Sequence, residues 1–149
     1  VTALDTSAAA LARGAENARL NQRDNITWRE ADAFEQLRQW DRERRRFDTI
    51  VVDPPAFAKS KATAPEALRG YKEINLRAMR LLAPGGSLLT ASCSFHVRRA
   101  EFLAMLESAA QDSGRRLTLV QLLGQGIDHP EILTIPETGY LKGAVLRAS

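Results

Sequence analysis

Two short stretches of this sequence carry the side chains best suited to chemistry. Asp53-Pro54-Pro55-Ala56-Phe57-Ala58-Lys59 sets a carboxylate just before a pair of prolines, and Ser92-Cys93-Ser94 sets the chain's one thiol between two hydroxyls. A carboxylate accepts protons and hydrogen bonds, and a thiolate adds readily to electron-poor carbon. Proline has no backbone N–H, fixes its own φ and holds the preceding residue extended, so the chain must leave Asp53 stiffly. The plainer alternatives are a surface loop after a core strand for the first stretch and a small buried hydrophobe for Cys93.

The elements that position these residues follow from patterning. Phe47-Asp48-Thr49-Ile50-Val51-Val52 is rich in β-branched residues and predicts a strand buried on both faces, with Asp53 at its carboxyl end. Leu88–Ala91 predicts another, ending at Ser92-Cys93-Ser94. Val1–Asp5 and Ile26–Glu30 read as strands, the first ending in Asp5 and the second followed by Asp32. Helices are predicted from a Thr6 or Ser7 cap to about Leu20, from about Phe34 through Trp40, after Gly70 to the Ala83-Pro84-Gly85-Gly86 stop, and from about Arg98 to Gly114. Thr63 and Glu66 have the spacing of a capping box. Leu117–Leu123 and Gly139–Arg147 close the chain as strands with no helix between them, so they should be antiparallel neighbours. The remainder alternates strand and helix, which predicts an α/β fold with a mostly parallel sheet.

In such a sheet Asp5, Asp32, Asp53 and Cys93 all project toward one rim, where open α/β sheets place their ligands. An acid at the end of a strand that leads into a helix can accept from a ribose diol, which suits Asp5, or from an adenine amino group, which suits Asp32; either can equally be a helix cap. Lys59, Lys61, Arg69 and Lys72 flank the loop after Asp53 and suit phosphates, or a solvated surface. Trp28 and Trp40 read as core, and His129 as structural. His96 and His129 stand far apart with a single thiol, so no metal-ligand set is expected.

The 149 residues suit one domain, and the net charge of +3 permits a nucleic-acid partner. One cysteine excludes an intrachain disulfide and fits a reducing cytoplasm. No apolar run has the length of a membrane span.

Taken in order, Asp53-Pro54-Pro55-Ala56-Phe57, Gly70-Tyr71-Lys72-Glu73-Ile74-Asn75, Pro84-Gly85-Gly86, Ser92-Cys93-Ser94, Asp128-His129-Pro130 and Tyr140-Leu141-Lys142-Gly143 resemble the bacterial cytosine-C5 methyltransferases of large-subunit ribosomal RNA. The resemblance runs nearly end to end. It implies a class I, Rossmann-like methyltransferase fold of strand order 3-2-1-4-5-7-6, here lacking its first strand, the glycine-rich turn after it and an RNA-binding module. Residues 1–149 would then be a partial catalytic domain. The resemblance further implies S-adenosylmethionine as cofactor, held by Asp5, Asp32, Asp53 and Pro54. It implies ribosomal RNA as partner, with Pro54, Pro55, Phe57, Lys59 and Lys72 on the substrate side, and Cys93 with Asp53 as catalytic residues. With the first strand gone, the strands ending at Asp5 and Asp53 should either pair directly or draw copies of the chain together through their open edges. Two further readings stay open: an N-methyltransferase of an exocyclic amine, which needs no thiol, and a non-catalytic fragment that binds RNA or a partner.

Overall fold

The computed structural model describes residues 1–58 and 60–149; Lys59, expected on the substrate side, lies outside the described residues. Along the chain run β1 (Thr2–Asp5), α1 (Ala8–Leu20), β2 (Thr27–Glu30), α2 (Ala33–Arg42), β3 (Phe47–Val52), α3 (Ala64–Arg80), β4 (Leu82–Ser92), α4 (Arg99–Ser113), β5 (Leu117–Leu123) and β6 (Lys142–Ala148). Strands β1 and β2 form a parallel pair, from Thr2 opposite Thr27 to Asp5 opposite Glu30. The other four form a sheet of order β3-β4-β6-β5. In it β3 and β4 are parallel, and β6 lies between β4 and β5, antiparallel to both. Within each sheet the neighbours are those expected of the α/β fold. Strands β1 and β3 belong to different sheets, so the direct pairing offered as one outcome does not form.

The core lies where α3 and α4 cover one face of the larger sheet. Along α3, Ala67, Tyr71, Ile74, Asn75 and Ala78 recur at helical spacing and are all buried. Phe102, Met105, Leu106 and Ala109 do the same on α4. They meet Leu88, Ala144 and Leu146 of the sheet, and removing such side chains from water is the main favourable term in the fold. Trp40 is buried as expected, whereas Trp28 is only half-buried.

Three boundaries depart from expectation. Helix α3 begins at Ala64, six residues before Gly70, so Gly70 lies inside it. The reason is a close approach: a Cβ at Gly70 would stand 3.3 Å from the Phe57 ring. The capping box does not form, because Thr63 has helical instead of extended backbone angles and its hydroxyl oxygen accepts the Ser60 N–H at 3.1 Å instead. Strand β4 starts at Leu82, opposite Phe47, and Pro84-Gly85-Gly86 is an irregularity within it, after which Ser87 pairs with Thr49. Gly85 supplies the positive φ of 74° that this excursion needs. Finally, β6 begins at Lys142, three residues after Gly139.

Candidate active site

Sequence and local geometry build the rim strand by strand. Asp5 ends β1, and one of its carboxylate oxygens accepts the Ser7 N–H at 2.7 Å. Ser7, not Thr6, then caps α1 by accepting from the Ala10 N–H. Asp32 is the N-cap of α2, accepting from the Glu35 N–H at 3.0 Å. Each acid is exposed and has one oxygen outside these bonds, so capping and ligand binding are compatible in the same side chain.

On the larger sheet, Asp53 follows β3 and Cys93 follows β4. Val52 pairs with Thr90, so Asp53 continues opposite Ala91 and Cys93 lies two residues beyond, or about 6.6 Å of strand rise. Thr90, Ser92 and Ser94 are buried while Ala91 and Cys93 between them are half-buried. That alternation turns Cys93 away from the face covered by α3 and α4, toward the side shared with exposed Asp53.

The two strand tips are fastened together by Tyr71, which is fully buried. Its hydroxyl lies 2.8 Å from Ser94 Oγ and 3.4 Å from the Pro55 carbonyl, and it accepts from the Phe57 N–H at 3.5 Å. Ser94 Oγ in turn accepts the Ala58 N–H at 3.2 Å. The proton count closes when Ser94 donates to Tyr71 and Tyr71 donates to Pro55, giving one directed chain from Ala58 to Pro55. Phe57 packs on the Tyr71 ring at 4.6 Å and faces Phe34 at 6.1 Å. With Thr63, Glu66, Ala67 and Gly70, these two phenyl rings line a cavity of about 360 Å³. The expected substrate-side residue Phe57 is therefore a half-buried support of the loop.

Residues 1–146 match the profile of the S-adenosylmethionine-dependent methyltransferase family described as Methyltrans_SAM. The chain belongs to that family. It is 45% identical over 150 residues to a ribosomal RNA large subunit methyltransferase I from Aeromonas salmonicida, covering 99% of this chain and 38% of that protein. It is also 45% identical over 146 residues to the protein of the same name from Shewanella amazonensis, covering 97% of this chain and 37% of that one. The chain thus spans little more than a third of the curated relatives it matches. A solved Streptococcus mutans structure assigned as a SAM-dependent methyltransferase superposes with a TM-score of 0.83 at 18% identity, over 98% of this chain and 38% of that one. That likeness confirms the class I methyltransferase fold.

Within this methyltransferase fold, one rim residue had no role assigned from sequence. Lys142, at the start of β6 and opposite Ser92, is only 4% exposed. Its ammonium donates to the carbonyls of Ser94 and Tyr140. Burial pushes its pKa below the ordinary lysine value, and Arg99 pushes the same way. The nearby Cys93 and Glu101 oppose the shift. A lysine in a strand reads as solvated, and nothing local in the sequence announces this one. Its one signal was its place in the Tyr140-Leu141-Lys142-Gly143 motif. Lys72, expected beside the catalytic loop, pairs instead with Asp112 at 2.7 Å. Asp112 is in the last turn of α4, so Lys72 is drawn toward the helix ends remote from the strand tips. Lys61 and Arg69 are exposed. His129, expected to be structural, is exposed on the loop after β5 with Asp128 at 3.9 Å. No group of three potential metal ligands occurs among the described residues, and none of their helices is long and apolar enough to cross a membrane.

Proposed function

We propose that this chain is the part of a ribosomal RNA methyltransferase that receives the target cytosine and supplies its nucleophile, yielding 5-methylcytosine in large-subunit ribosomal RNA. The observation that carries this reading is the setting of Cys93. It stands half-buried at a strand tip between two buried serines, on the side shared with Asp53, in a rim fastened by Tyr71 and Lys142. The names of the relatives, ribosomal RNA large subunit methyltransferase I, support the substrate class.

Asp5 and Asp32 fit the polar ends of S-adenosylmethionine, because each is exposed and keeps a carboxylate oxygen outside its bond to the backbone. They would hold the ribose diol and the adenine amino group, with Asp53 and Pro54 bordering the same rim. The cofactor supplies an electrophilic methyl group. The protein's task is to make carbon 5 of cytosine nucleophilic. Cys93 sulfur bonds to carbon 6, and the electron pair of the 5,6 double bond moves to carbon 5. With its carboxyl protonated, Asp53 would donate to ring nitrogen 3 and so stabilise the negative charge that this addition spreads into the ring. Once carbon 5 carries the methyl group, loss of its proton to a base returns the electron pair to the ring and releases the thiolate. Pro54 and Pro55 hold Asp53 extended and so keep the acid at a fixed distance from the base. A cytosine within a helix would have to leave its stack to reach Cys93.

The test is methyl transfer from S-adenosylmethionine to large-subunit ribosomal RNA, with the product nucleoside identified by mass spectrometry. Cys93→Ala should remove 5-methylcytosine formation entirely. Full transfer after that substitution, or a product methylated on an exocyclic nitrogen, refutes the covalent route.

A further inference from the structure

Immediately after Cys93 the chain presents an unusual turn. Phe95 is 41% exposed although a phenyl ring is ordinarily buried. It cannot retract, because buried residues on both sides hold it out. Ser94 is tied through its hydroxyl to Ala58 and Tyr71 and through its carbonyl to Lys142. Val97, only 1% exposed, donates its N–H to that same carbonyl at 3.1 Å. Only Phe95 and His96 lie between the anchors, and the His96 ring meets Phe95 edge to face at 5.3 Å. The ring is thus preorganised and its outer surface is free.

Beside it stand Arg98 and Arg99, both exposed. Among the described residues no carboxylate lies within 4.0 Å of either guanidinium. Glu101 is occupied by the Arg98 backbone N–H at 2.8 Å. Arg99 extends across the rim toward Gly124, at the end of β5. An exposed aromatic plane flanked by two unpaired cations matches single-stranded nucleic acid: bases stack on the ring, and phosphates meet the guanidiniums. An apolar protein partner would satisfy Phe95 and leave both arginines uncompensated.

We propose that Phe95, steadied by His96, is a stacking platform for the nucleotide next to the one presented to Cys93, with Arg98 and Arg99 holding the adjoining phosphates. The platform makes this rim select unpaired RNA, since a base inside a duplex has no free face. The proposal rests on the reading of Cys93 as the residue that meets the target base.

The test is fluorescence anisotropy with the 149-residue chain and labelled RNA of about ten nucleotides containing one cytosine, as a single strand, as a duplex, and with an abasic site beside the cytosine. The single strand should bind more tightly than the duplex. Phe95→Ala should weaken single-strand binding roughly 5- to 150-fold, the range set by base–aromatic stacking, while Phe95→Trp retains it. The abasic strand should bind the parent chain as weakly as the intact strand binds Phe95→Ala. Arg98→Gln and Arg99→Gln should each lower the slope of log affinity against log salt by about 0.7. Circular dichroism melting of each variant separates lost binding from lost folding, and Phe95→Trp keeps the question open to test if Phe95→Ala is unstable. No RNA binding by the parent chain, equal binding of single strand and duplex, or unchanged affinity and slope in the variants overturns the platform. Repeating the titrations in Cys93→Ala separates the two ideas. If Cys93→Ala also retains 5-methylcytosine formation while the Phe95 effect persists, the nucleophile reading falls and the platform stands.

Discussion

Replacing Lys142 by Met keeps most of the aliphatic stem and deletes the ammonium. The carbonyls of Ser94 and Tyr140 then lose their donor at a position almost closed to water. A hydrogen bond from a charged donor contributes about 1.5–3 kcal/mol, but burying the cation costs part of what the two bonds return. The net expectation is a loss of about 1–3 kcal/mol at pH 7, or a fall in melting temperature of about 2–4 °C for each kcal/mol at this chain length. The pH dependence carries the sharper signature. Burial depresses the folded pKa below 10.5, so between those two values the unfolded chain binds more protons than the folded one. Stability contributed at this site therefore rises with pH across that window. Urea unfolding at pH 7 and pH 10 should show the parent chain gaining on Lys142→Met as pH increases, because the other titrating groups are common to both. Equal stability at pH 7 together with a pH-independent difference would falsify the account of Lys142 as a buried, charged tie.

Ser94→Ala removes the acceptor for Ala58 N–H and a partner of the Tyr71 hydroxyl. It should cost about 1–3 kcal/mol, and hydrogen exchange should quicken at Phe57 and Ala58; unchanged protection there sinks the fastening role. In Glu73, burial works to raise the pKa, but hydrogen bonds from Arg77 and Arg38 outweigh it and hold the carboxyl below its usual value. This contribution is present above pH 4.5 and lost as pH falls through the depressed value, so Glu73→Gln should be less stable by about 0.5–1 kcal/mol at pH 7 and equal to the parent in strong acid. Val51 is 64% exposed on edge strand β3, and association through open edges should appear in sedimentation as a concentration-dependent increase in mass. Val51→Lys should suppress that increase, and a parent chain that stays monomeric at every concentration excludes edge pairing.

Where one local pattern decided an element, the sequence was a sound guide. The β-branched run before Asp53 became β3, although it is not buried on both faces as expected, since Asp48, Thr49 and Val51 are exposed; the absence of a helix between the last two strands correctly implied that β6 runs against β5. Where two distant segments decide, it was not. Gly70 resembles a helix boundary until Phe57 is seen against it, and Pro84-Gly85-Gly86 resembles a loop until Leu82 is found paired with Phe47. Thr63 and Glu66 have capping spacing, but the Ser60 N–H takes the hydroxyl oxygen that the cap requires. The candidate site divides in the same way. Acids and a thiol at strand ends are visible as residue types at predictable positions. The groups that hold them are ordinary until contacts across the fold are known: a tyrosine in a helix, a serine beside the thiol, a lysine opening a strand.

Those holding groups converge on one residue, Ser94, the neighbour of the proposed nucleophile. Ser94 has every polar group engaged: its N–H meets Ser92 Oγ, its hydroxyl meets Ala58 and Tyr71, and its carbonyl receives Lys142 and Val97. The loop bearing Asp53, helix α3, strand β6 and the turn bearing Phe95 are thereby referred to a single point, one peptide bond from Cys93. A nucleophile must keep its own sulfur free of fixed partners, because a hydrogen bond to the thiolate stabilises the ground state as well as the attack. Placing the positional constraint on the neighbouring serine lets the backbone locate Cys93 through that neighbour. The same tie fixes Phe95 on the other side, so the distance between the Cys93 sulfur and the Phe95 ring is set by three consecutive residues held at their middle one.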